Sequence, residues 1–132
     1  MNTFNSNQIA EEIINNNFGE KFYEDPLTYL SNYSPAFGEK EDWMQQFKKA
    51  YTSKNSYISH LKQQAFTSLL LFYVYDIMLY FFEYDCPSYS KFHQLDEDTQ
   101  NVVLEEVVKI ISNAIAHQIA NEYANYLFEK ND

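Results

Sequence analysis

The stretch AFTSLLLFYVYDIMLYFFEYDC, residues 65 to 86, constrains this chain more than any other. It is long enough to cross a bilayer, yet Asp76 sits at its middle and Glu83 near its end. An acid at the centre of a bilayer costs about 2.5–3.5 kcal/mol, and no positive flank anchors the stretch, so a membrane span is disfavoured. Strands seldom exceed about ten residues. The chain also has only two glycines, Gly19 and Gly38, so the residues that make hairpin turns are almost missing. A helix remains. Asp76 and Glu83 are seven residues apart and share a face, with Tyr73, Tyr80 and Tyr84 beside them and Lys62 two heptads upstream on much the same side. Leu70, Leu71, Val74, Ile77, Met78, Phe81 and Phe82 take the other faces. The pattern predicts a central core helix over residues 56–84, buried nearly all round apart from a narrow acid-and-tyrosine stripe.

The remainder reads as helices too. Ser6 or Asn7 can cap a first helix with Ile9, Ile13 and Ile14 on its apolar face, ending near NNNFG. Asp25 followed by Pro26 signals a short helix to about Ser31. From Glu39, acids in the first turn and lysines later suit the helix dipole, and Trp43, Met44, Phe47, Ala50 and Tyr51 form an amphipathic stripe. Asn55 or Ser56 can cap the core helix, and Pro87 ends it. A last helix runs from the acidic LDEDTQ toward Phe128, its apolar face built from Val103, Leu104, Val107, Val108, Ile110, Ile111 and Ile115. Past His117 the apolar positions shift to Ile119, Ala120, Tyr123 and Leu127. That phase drift predicts a kink or a second packing element, and a symmetric dimer with Tyr123 and Leu127 at its interface would supply one. The expected fold is an all-α, single-domain bundle of about four to five helices spanning residues 1–132, with loop-like segments at 31–39 and 85–95.

Charge narrows the partners. The chain holds 19 acids against 9 bases, every base is lysine, and the net charge is −10. Such a surface repels nucleic acid and anionic lipid, lacks the arginine fork that grips phosphate, and attracts a basic protein. The first twenty residues show neither a basic region nor an apolar run, and Cys86 is the single cysteine, which points to a cytoplasmic setting.

No catalytic motif stands out. The three histidines, His60, His93 and His117, belong to no HExxH or ExxH pattern, and there is no phosphate-cradling glycine loop or nucleophile elbow. Cys86 and His93 could pair as thiol and base, but a cysteine before proline at a helix end reads as structural. Adjacent acids such as Glu11–Glu12 and Glu41–Asp42 splay around a helix rather than converge on one atom. No cofactor is implied. A metal-dependent enzyme using His93, Asp96 and Asp98 is the weakest of three functional readings, since an acidic helix start explains the same residues.

Acid placement is the stronger signal. Residues 83 to 106 hold Glu83, Asp85, Asp96, Glu97, Asp98, Glu105 and Glu106 against Lys91 alone, whereas residues 39 to 62 hold five lysines against three acids. Asp98 and Glu105 fall about 10 Å apart on one helix face, a spacing that can imitate phosphates. Tyr73, Asp76, Tyr80 and Tyr84 extend that surface toward the core helix, and tyrosine beside carboxylate suits a protein contact. The leading expectation is a non-catalytic inhibitor or regulator that binds the basic site of a nuclease or nucleic-acid-binding protein. DNA mimics, anti-CRISPR proteins, antitoxins and immunity proteins are the analogous kinds. The alternative is a homodimeric structural or adaptor module.

Overall fold

The computed structural model describes residues 5–51 and 56–130 and contains no strand among them. Six α-helices follow in order: α1 (Ser6–Asn17), α2 (Gly19–Glu24), α3 (Pro26–Tyr33), α4 (Lys40–Tyr51), α5 (Ser56–Tyr80) and α6 (Glu97–Lys130). The chain is all-α, with one helix more than four to five. The extra helix is α2, six residues in which only Phe22 is buried, too short to show an apolar period. Gly19, at φ +67°, makes the turn that separates it from α1.

Local chemistry sets the helix ends. The Asn5 side chain, rather than Ser6 or Asn7, caps α1 by accepting from the Gln8 N–H at 3.1 Å. Asp25 caps α3 with Pro26 at its first position, and α3 runs to Tyr33 rather than Ser31. Gly38, at φ +92°, then reverses the chain so that the buried Trp43 indole N–H donates to the Phe37 carbonyl at 2.8 Å. Asn55 lies outside the described residues, as does the Ser56 side chain, so the start of α5 carries no account of its cap.

Among the described helices α6, not α5, is the one most enclosed by its neighbours. It touches α1, α3, α4 and α5, and Val103, Val107, Ile111, Ile115 and Ile119 are all fully buried. Residues four apart advance about 40° around a helix of 3.6 residues per turn, so this ladder winds roughly 160° from end to end. Both α1 and α5 pack on α6, and Phe66 to Leu71 of α5 border it from Lys109 to Ala116. Its later turns pass over α3 and α4, where the Gln118 amide accepts from the Leu27 N–H at 2.9 Å, Glu122 meets Lys40 at 2.8 Å, and the Tyr123 ring lies 5.5 Å from that of Phe47. The apolar drift along α6 is thus met by elements of the same chain. Tyr123 packs internally, and the Leu127 side chain lies outside the described residues.

The environment of α5 departs most from expectation. Leu70, Val74, Ile77 and Met78 are buried, as are Phe81 and Phe82 just beyond it. The helix is not buried nearly all round, however. Leu61, Leu69, Leu71, Phe72, Tyr75 and Leu79 are exposed. Because α6 holds the centre, α5 covers it with one face and turns the other outward. A π-helical turn, Phe81–Asp85, ends the element, closed by the Cys86 N–H donating to the Phe81 carbonyl at 2.8 Å.

This packing ranks the apolar positions by what their loss would cost. Ile111→Ala and Leu70→Ala should each cost about 2–5 kcal/mol in urea unfolding, whereas Phe72→Ala on the outward face should cost far less. Asp25 adds a pH-dependent share of the stability. Burial pushes its carboxyl up, but hydrogen bonds from Gln118 and Thr28, together with Lys40 at 3.5 Å, outweigh this and hold it below the usual carboxylate range. A depressed pKa stabilises the fold above the unfolded value of 3.8, and that contribution disappears as pH falls through the folded value. Asp25→Asn should therefore flatten the acid limb of a Tm-versus-pH curve below about pH 4–5, and an unchanged curve would count against this role.

Candidate protein-binding surface

The helices α5 and α6 run antiparallel and are joined at one end by residues 81–96. Phe82 in the π turn stacks on Phe92 of the 3₁₀ turn Lys91–Gln94 at 4.1 Å, which fixes the connection against the bundle. That end therefore collects the π turn, the connection and the first turns of α6. Glu83, Tyr84 and Asp85 are exposed on the π turn, and Asp96, Glu97, Asp98 and Glu105 are exposed along the start of α6. Glu106 is half-buried, where it accepts from the Asn7 side-chain amide at 3.3 Å and meets Lys109 at 3.7 Å.

The nearby lysines are already engaged. Lys91 pairs with Glu12 at 3.1 Å and Lys109 with Glu106. Among the described residues, Glu83, Glu97, Asp98 and Glu105 have no ion pair. Asp96 is engaged locally instead. Its side chain accepts from the Thr99 N–H at 2.8 Å, capping α6, and that bond holds its carboxyl below the usual range. Asp96 therefore serves the helix start as much as the surface.

Tyr73, Asp76 and Tyr80 lie apart from that row. They line a groove of about 480 Å³ between α5 and the turn Pro35–Phe37, together with Tyr33 and Ile77. The Tyr33 hydroxyl donates a short hydrogen bond to the Asp85 carboxylate and so ties α3 to the π turn. Burial, then the Asp85 bond and its charge, drives the Tyr33 phenol well above its ordinary value. Tyr80 and Tyr84, 4.8 Å apart, bridge the groove and the acidic end.

Some surface residues escaped the sequence pattern. Tyr89, 83% exposed, stands on the connection, and Val102, 44% exposed, sits between Asp98 and Glu105 on the same face of α6. The tyrosine count and the apolar period of α6 were visible, but neither shows which of these side chains points outward. Tyr33 is linked to Asp85 only by tertiary contact across 52 residues.

Among the described residues no three His, Cys, Asp or Glu side chains converge in a manner that could hold a metal ion, and Asp96 is committed to Thr99. Burial pushes the Cys86 thiol up, only partly offset by the Ser90 hydroxyl 3.4 Å away, so the thiolate is disfavoured. Searches against protein-family models, curated proteins and solved structures find no match to this chain.

Tyr33→Phe isolates the tie between groove and acidic end. It should preserve helicity, cost about 0.5–1.5 kcal/mol in denaturant unfolding, and remove one late-titrating phenol from an alkaline absorbance titration. An unchanged titration would show that the hydroxyl is not held by Asp85.

Proposed function

We propose that this protein binds a basic protein surface through its acidic end, and thereby inhibits or regulates a nuclease or other nucleic-acid-binding enzyme. The observation that carries the reading is the row of exposed carboxylates, Glu83, Glu97, Asp98 and Glu105, beside lysines already paired to Glu12 and Glu106. Carboxylates without counter-ions keep their long-range field, which steers an oppositely charged partner. Asp98 and Glu105, about 10 Å apart on α6, present two negative charges on one face toward such a partner. Tyr84, Tyr89 and Val102 add exposed aromatic and apolar area among the acids, which favours protein recognition over mere solvation. Binding is the whole activity in this reading, with no metal and no cofactor.

The test begins with affinity capture from the native host and identification of the captured protein. Asp98→Lys with Glu105→Lys should then slow association sharply at low salt, and less so in 1 M salt, where the Debye length is about 3 Å. Tyr84→Ala should instead speed dissociation, as loss of an aromatic anchor does. Circular dichroism should show both variants folded. A captured partner that associates with the charge-reversed variant as fast as with wild type would defeat the proposal.

A further inference from the structure

The outward face of α5 is a built seam. Leu61, Ala65, Leu69, Phe72 and Leu79 repeat at intervals of three, four and seven residues, and the row is exposed along its length. Phe72, at its middle, is 63% exposed. One edge of the seam carries Lys62, Leu69 and Asp76, each seven residues from the next. Lys62 adjoins Lys49 and Gln46 of α4 in a groove of about 220 Å³, while Asp76 opens onto the groove with Tyr33 and Tyr80. The same edge is therefore basic toward the start of α5 and acidic toward its end. Lys62 and Asp76 lie about 21 Å apart along the helix and cannot reach one another within one chain.

We infer that this face pairs with the same face of a second copy, the two α5 helices antiparallel about a two-fold axis beside Leu69. A two-fold perpendicular to both helices keeps like edges on one side and reverses their direction. It therefore lays Lys62 of each copy level with Asp76 of the other, twice over, and stacks the apolar seam between the two pairs. A parallel pair would instead set each lysine level with the other lysine and each aspartate level with the other aspartate, on opposite edges, so that no opposite charges meet. Lipid is the poorer occupant. Asp76 and Lys62 sit on the face that would enter it, and a chain of net charge −10 is repelled by anionic headgroups. The seam from Leu61 to Leu79 is about 27 Å long and, with flanking residues, on the order of 500 Å² per copy. Two copies thus bury about 1,000 Å², at the lower limit of a specific interface, where weak and reversible pairs fall. This interface is distinct from the Tyr123 region, where the Tyr123 ring meets Phe47 of α4, and does not depend on the acidic end having a partner.

Sedimentation velocity on the full chain between about 1 and 200 µM tests the pairing. Wild type should shift from monomer to dimer across that range. Lys62→Asp and Asp76→Lys alone should each weaken the dimer by about tenfold or more, because each sets like charges together at two places. Mixing the two variants should restore association as a heterodimer, and the double variant should restore a homodimer. Leu69→Cys in a Cys86→Ser background should cross-link to itself under mild oxidation. Circular dichroism checks that each variant is folded. A wild type that stays monomeric to about 200 µM, or single reversals without effect, would overturn the inference. So would a monomer that instead co-sediments with phosphatidylcholine–phosphatidylglycerol vesicles and loses that binding on Phe72→Lys.

Discussion

The rest of the structure depends on the four-residue spacing of one buried ladder. Val103, Val107, Ile111, Ile115 and Ile119 are all fully enclosed, and on a helix of 3.6 residues per turn such a row cannot stay on one side. No single neighbouring helix can cover it. The chain therefore wraps α6, with α1 and α5 along it, α5 as far as Ala116, and α3 and α4 against its later turns. Where the ladder swings over the start of α3, backbone and side-chain polar groups come with it. Gln118 answers them by accepting from Leu27 and donating to Asp25, while Lys40 lies between Asp25 and Glu122. Burying those groups without partners would cost about 1–3 kcal/mol each, so the polar cluster is a consequence of the apolar winding.

Giving the centre to α6 decides what α5 can be. A helix at the periphery of a bundle buries one face, however apolar its sequence. The aromatic residues show how that face is filled: Trp43 and Phe47 of α4 meet Phe66, and Phe18 lies against Phe81 with ring centres 4.9 Å apart. Phe81 and Phe82 of the π turn are both buried at successive positions, as Ile77 and Met78 are one turn earlier. What remains on α5 is apolar surface that the described residues leave exposed.

Much of this was legible in the sequence, and the failures have physical causes. Scarce glycine and long apolar periods identify an all-helical chain, and Asp25–Pro26 marks the start of α3 because cap chemistry is local. The buried set Leu70, Val74, Ile77 and Phe81 was readable for the same reason: a period within one helix needs no partner to be seen. Which helix lies at the centre was not readable. Apolar content favours α5, whereas centrality belongs to α6 because its ladder turns toward several neighbours. The drift past His117 was visible as a change of phase, but whether α4 or a second copy meets it depends on how the whole chain folds back. Among the surface acids, Glu83 to Glu106 lie near one another because a short connection joins α5 to α6. Position in the sequence did not separate Asp96, bound to Thr99, from Asp98, nor reveal that Tyr33 reaches Asp85.

The two surfaces left open by the core are compatible because charge is distributed along α5. Its start lies among lysines and its end among acids, so each molecule is electrically polar along the direction of its exposed seam. Two like-charged molecules repel on average. An antiparallel arrangement lowers that repulsion locally, since the basic start of one α5 then adjoins the acidic end of the other. The same arrangement leaves the first turns of α6 outside the seam, at opposite poles of the pair. A partner drawn to Asp98 and Glu105 would therefore not have to displace the second copy, and two acidic ends held on one rigid pair raise the effective concentration of each for a partner with two basic sites.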